Sequence, residues 1–152
     1  MERGVSPVVG VALLAFVTVL LAVAVGTAVP ELSAEPPPTT QLSVTADAAE
    51  DRVAITHHGG DTLDVTELRV IVEVDGTPLD KQPPVPFFGA PGFESGPTGP
   101  FNTASPDSWG AGQTAGFRIA STNSPTIDDG ATVSVTVATD RTVLLDAMTT
   151  AT

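Results

Sequence analysis

An N-terminal transmembrane α-helix followed by an all-β, immunoglobulin-like antiparallel sandwich is the fold this sequence predicts, on three observations. Residues Val5 to Val29 carry no ionisable group and are nearly all apolar or small. From Leu42 onward, short stretches rich in Val, Ile and Thr are separated by Gly, Asp and Pro, the period-two signature of strands and turns. Between them, Pro30 to Gln41 holds the run Pro36-Pro37-Pro38 and reads as an extended, semi-rigid spacer.

At about 1.5 Å per residue, a helix over residues 5–29 reaches about 37 Å, enough to cross a hydrocarbon core of about 30 Å with some tilt. Ser6 can cap its start by accepting backbone N–H bonds, and Pro7 suits the first turn, where a missing N–H leaves nothing unpaired. Met1-Glu2-Arg3-Gly4 is very short for the basic leader of a secretory signal peptide. Thr27-Ala28-Val29 is a poor match to the small-x-small site at which such a peptide is cut. Arg3 precedes the span while Glu31 and Glu35 follow it, so the positive-inside tendency predicts a cytoplasmic N-terminus and an external domain.

In the external part, strands are expected near Leu42–Ala46, Arg52–His57, Glu67–Val74, Gln113–Ala120, Thr132–Ala138 and Arg141–Leu145. Val53 and Ile55 share one face of the second, Leu68, Val70, Val72 and Val74 one face of the third, and Val133, Val135 and Val137 one face of the fifth. Asp75-Gly76 reads as a hairpin turn into a short edge strand at Thr77–Lys81. The segment after it, residues 82–112, is a Pro/Gly/aromatic loop far longer than usual connections. It gathers Phe87, Phe88, Phe93, Phe101 and Trp109. These rings either pin the loop to the sandwich or form a contact surface between subunits or with a substratum.

Composition narrows the chemistry. Acidic residues number 18 against 6 basic ones, for a net charge of −12, and Lys81 is the only lysine. Such self-repulsion is screened at molar salt, where the Debye length is about 3 Å, so the balance suggests a halophile. It argues against nucleic acid as a partner, because a polyanion finds no basic patch. With no cysteine, there is no disulfide framework, thiolate metal site or cysteine nucleophile.

His57-His58-Gly59-Gly60-Asp61 places two imidazoles beside a carboxylate, but on a strand the two rings point to opposite faces. The structural expectation is a strand ending in a Gly-Gly turn, with Asp61 bonding the turn's amides. Asp128-Asp129-Gly130, Asp47 with Glu50-Asp51, and Asp75-Gly76 are β-loop carboxylates of the kind that ligate calcium, without the spacing of an EF-hand. No G-x-S-x-G elbow, P-loop or dinucleotide fingerprint is present. Catalytic, cofactor and metal residues are therefore not assigned, and the chain is not expected to be an enzyme.

Arg3-Gly4 followed at once by Val5-Ser6-Pro7-Val8-Val9-Gly10-Val11 resembles the leader and N-terminal segment of archaeal type IV pilins, the haloarchaeal ones in particular. The resemblance implies a leader at residues 1–4 and cleavage by a prepilin peptidase between Gly4 and Val5. It further implies a helix at 5–29 that resides first in membrane lipid and later in a filament core, a spacer at 30–41 and a head at 42–152. Like subunits and the pilus assembly machinery are the implied partners, and adhesion or surface attachment the implied role. Where bacterial type IV pilins commonly have a glutamate at the fifth mature position, this chain would have Val9, so no role for that charge transfers. The alternative is a membrane-anchored extracellular ligand-binding or accessory enzyme domain that forms no filament.

Overall fold

The computed structural model describes residues 6–28 and 35–152. Arg3, Gly4 and Val5, the positions of the expected cleavage, and most of the segment between the helix and the triple proline lie outside the described residues. The chain divides into two compact units that meet in sequence at Pro36 and Pro37.

The first unit holds helix α1, Ser6–Ala28. Its interior is built of Val, Leu and Ala with one Pro, at the second position, where no intrahelical N–H is lost.

The second unit is antiparallel β. In chain order its strands are β1 Thr40–Asp47, β2 Arg52–Gly60, β3 Leu63–Asp64, β4 Arg69–Val74, β5 Thr77–Pro78, β6 Ser108–Trp109, β7 Thr114–Arg118, β8 Thr132–Ala138 and β9 Val143–Thr150. One sheet has the order β1-β2-β7 and the other β5-β4-β8-β9, with β3-β6 as a small separate pair. Between the two main sheets lies the core. Val53 and Ile55 stand opposite Phe117 and Ala115 on one side, and Val70, Val72 and Val74 opposite Val137, Val135 and Val133 on the other. All of these are buried. The alternation of Val with Thr or Ser along β8 is the cause, because a period-two chain can turn only one of its faces to an apolar layer.

The sheets meet at one corner. Thr152 N–H bonds to the Ala46 carbonyl at 3.3 Å, and Ala48 N–H to the Thr152 carbonyl at 3.0 Å, a parallel pairing of the end of the chain with the end of β1. The sheets do not close into a barrel.

Several boundaries differ from those expected. The strand expected from Glu67 begins at Arg69, because Asp64 caps a 3₁₀ turn over Val65–Glu67 by accepting the Thr66 N–H. β5 stops at Pro78 rather than Lys81. Leu79 N–H still reaches the Val72 carbonyl, but beyond it the Gln82 side chain takes over the edge of β4, accepting from Val72 N–H at 2.8 Å and donating to the Val72 carbonyl at 3.0 Å. The last strand begins at Val143, after Thr139 and Thr142 close a turn, and runs on through Asp146 to Thr150. The Asp75-Gly76 turn forms as expected, with φ of +52° and +79° at its two residues, and Val74 pairs with Thr77 across it.

Candidate functional site

Three features of the sequence raise functional questions: the helix, the aromatic loop and the polar constellations. In α1, twelve large apolar side chains from Val8 to Val25 are exposed. Successive residues of a helix are about 100° apart, so exposure at Val8, Val9, Val11, Leu13 and Leu14 means that the apolar surface runs round the whole circumference. Covering a side chain of this size contributes about 1.5–3 kcal/mol. Twelve of them outweigh the about 5–15 kcal/mol net stability of a typical domain, so the helix needs an apolar surrounding. Its one described polar side chain beyond Ser6 meets that need, as the Thr18 hydroxyl donates to the Leu14 carbonyl one turn earlier at 2.8 Å. Ser6–Val25, near the N-terminus, is long and apolar enough to cross a membrane.

In the head, the long loop is folded down onto the sandwich. Phe87, Phe93, Phe101 and Trp109 are buried, and only Phe88, 60% exposed, is turned outward. The rings join the core edge to face: Phe93 to Phe117 with centroids 5.5 Å apart at 87°, and Phe101 to Trp109 at 5.3 Å and 70°. The Trp109 indole N–H donates to the Gln113 carbonyl at 3.0 Å, so its polar edge is satisfied where it is buried. Of the five rings placed in a contact loop, four therefore pin that loop to the core, and Phe88 alone stands on the surface.

The two histidines part company. β2 does not end at His57 but continues to Gly60, so His57 faces the core and His58 faces out. His57 Nε2 lies 2.8 Å from the Asp61 carbonyl, which can only accept, so Nε2 carries the hydrogen. Its Nδ1 is buried without a partner, and the ring meets Trp109 at 71°. His58 Nε2 instead lies 2.6 Å from the Ser43 hydroxyl on β1. Asp61 does not bond the amides of its own turn. Its carboxylate accepts Thr39 N–H at 3.0 Å, and its N–H returns to the Thr39 carbonyl, which ties the entry of β1 to the exit of β2.

The β-loop carboxylates serve the backbone. Asp47 accepts from Ala49 and Glu50, Asp51 from Ile127, and Asp75 from Thr132. Asp128 and Asp129 are exposed. Among the described residues no three His, Cys, Asp or Glu side chains come together as a metal site.

Two elements of the head have no local sequence signal. Gln82 supplies a side-chain amide where a strand residue would sit, and Asn123 does the same for Lys81, accepting its N–H at 3.1 Å and donating to its carbonyl at 2.8 Å. Asn123 acts 42 residues from Lys81, and Gln82 ten residues from Val72. A nearby Pro or Gly marks the chain as irregular there but does not identify the partner.

No protein-family model matches the chain. It is similar to an uncharacterized protein of Archaeoglobus fulgidus, 38% identical over 74 residues, which are 47% of this chain and 52% of that one. The chain thus spans about half the length of the relative it matches.

Proposed function

We propose that this chain is an archaeal type IV pilin or pilin-like subunit of a cell-surface filament, serving adhesion or surface attachment. The observation that carries the reading is α1, a helix apolar on every side, separated in the sequence from Arg3-Gly4 by Val5 alone. A helix of that kind rests in lipid as a single span, or in a bundle of like helices once drawn out of the membrane, and the same surface serves both states. In this reading a prepilin peptidase at the cytoplasmic face cuts after Gly4, Arg3 keeps the leader at that face, and the head stands outside the cell.

N-terminal peptide mapping of the protein purified from its own cells tests the processing, and electron microscopy of sheared surface filaments with mass spectrometry of their subunits tests the assembly. A mature chain beginning at Val5, found in filaments, is expected. An intact Met1 or Glu2 on a chain found only as a membrane-bound monomer would overturn the reading in favour of an anchored domain. Glycine before the scissile bond presents no side chain to the peptidase, so Gly4→Trp is expected to leave an unprocessed chain in the membrane with its head folded.

A further inference from the structure

Among the described residues, Asn123 is the one buried side-chain amide, 4% exposed, and the fold lays the chain's single lysine against it. Its Oδ1 accepts two backbone N–H groups, from Lys81 at 3.1 Å and from Ser124 at 3.0 Å, and its Nδ2 donates to the Lys81 carbonyl at 2.8 Å. Gly92, with φ of +86°, borders the pair. A Cβ on it would stand 3.0 Å from Asn123 Cγ, 3.0 Å from Asn123 Nδ2 and 3.0 Å from Lys81 Cδ, so the lysine stem and the amide carbon share one small space. Backbone bonds hold the three segments together: Asp80 N–H to the Ser124 carbonyl at 2.8 Å, Ala120 N–H to the Gly92 carbonyl at 3.0 Å and Asn123 N–H to the Ala120 carbonyl at 3.0 Å.

An amide carbon beside a primary amine can be acylated by it when the two are held in one frame, because the encounter is then intramolecular. If an amine adds to Asn123 Cγ, negative charge develops on Oδ1. That oxygen already has two N–H donors aimed at it, and fixed donors at such an atom lower the barrier to addition. Lys81 Nζ lies two bonds beyond Cδ on a flexible stem, and the residue is exposed, so water takes up the proton that the ammonium sheds before it attacks.

We infer that Lys81 and Asn123 join in an intramolecular isopeptide bond. Lys81 Nζ, as the free amine, forms a bond to Asn123 Cγ; the Cγ–Nδ2 bond breaks, Nδ2 takes up a proton and leaves as ammonia, and a secondary amide remains between the two side chains. One ammonium and one primary amide thus give one secondary amide and one ammonium ion, without oxidant or cofactor. The bond closes a covalent ring over residues 81–123, which include the aromatic loop, in a chain that has no cysteine with which to do so. It stands apart from the filament reading, since an anchored domain forms it equally.

Mass spectrometry of the full-length protein tests this. In detergent it is first incubated at alkaline pH, where the amine is free, and then cut with a protease acting after Asp and Glu. Such a digest places Lys81 in the peptide 81–94 and Asn123 in the peptide 108–128. The two peptides are expected as one linked species, lighter than their summed sequence masses by one ammonia, with fragmentation placing the branch at Lys81 and Asn123. Lys81→Arg keeps the charge and most of the stem but offers a guanidinium that does not attack, and is expected to give the peptides separately at their sequence masses. Separate peptides from the unaltered chain would overturn the inference. So would a linked, ammonia-light species that persists in Lys81→Arg, because its bond is then made by another group.

Discussion

At the scale of single residues, the turns show how much depends on one missing Cβ. Gly60 has φ +98°, and a Cβ there would collide with the Thr39 carbonyl at the entry of β1, whereas Gly76 has φ +79° with open space around it. Gly76→Ala is expected to cost the left-handed conformation alone, about 1 kcal/mol. Gly60→Ala adds overpacking of about 1–3 kcal/mol. Urea midpoints of the two variants in detergent check this, and equal shifts would refute the role of the Thr39 contact. Asp64 gives a pH test. The Thr66 hydroxyl, and then the Thr66 N–H, hold its carboxyl below the ordinary 3.8, against a small opposing effect of burial. A depressed folded value means that its contribution is present above the unfolded value and is lost as pH falls through the folded one, so the window lies below about pH 4. Thr66→Val removes the hydroxyl donor and keeps the N–H. Its Asp64 titration, followed by carboxyl NMR, is expected to move up towards 3.8.

Elements are where the sequence was most and least legible. Thr132–Ala138 was readable to the residue because β8 is a central strand, paired on both sides and buried on one face, so pattern and structure answer to the same constraint. β9 was misplaced because it is an edge: its inward positions Leu145, Ala147 and Thr149 are only half-buried, and Asp146 and Met148 tolerate solvent, so alternation fades. The loop of residues 82–112 was visible as irregular, yet two of its buried rings, Phe93 and Phe101, pack on Phe117, and Phe93 also pairs with Ile119, well along the chain. The helix span was plain from composition, while the side-chain pairs Ser43 with His58 and Thr56 with Thr114 across β1, β2 and β7 emerged only from register. The edge of β4 yields a further test. Gln82→Ala removes three hydrogen bonds, to Val72 N–H, the Val72 carbonyl and the Leu79 carbonyl, and is expected to destabilise the head by about 2 kcal/mol. Hydrogen exchange should accelerate at the Val72 amide before it does at Val70; unchanged protection at Val72 would show that another group caps that edge.

For the whole molecule, charge and connection matter more than any one contact. The turns at one end of the head bring together Asp47, Glu50, Asp51, Asp75, Asp128 and Asp129, since Ile127 N–H bonds to Asp51 and Thr132 N–H to Asp75. Their mutual repulsion acts over about 10 Å at 0.1 M salt and about 3 Å at 1 M. The thermal midpoint is therefore expected to rise with KCl over that range, and to rise less in Asp128→Asn/Asp129→Asn, whose carboxylates are exposed and anchor no backbone amide in the hydrogen-bond network described above. An unchanged slope in that double variant would place the salt effect elsewhere. The connection concerns force. The tether enters the head at Thr40, the first residue of β1, and β1 runs beside β2 to Asp47, where the Thr152 pairing locks its far end. Tension drawn along the tether against the Asp47 end of the head lies parallel to β1, across the β1–β2 hydrogen bonds. Those bonds are then loaded together in shear instead of being peeled one at a time, which makes the first strand of the head a mechanical clamp as well as an edge.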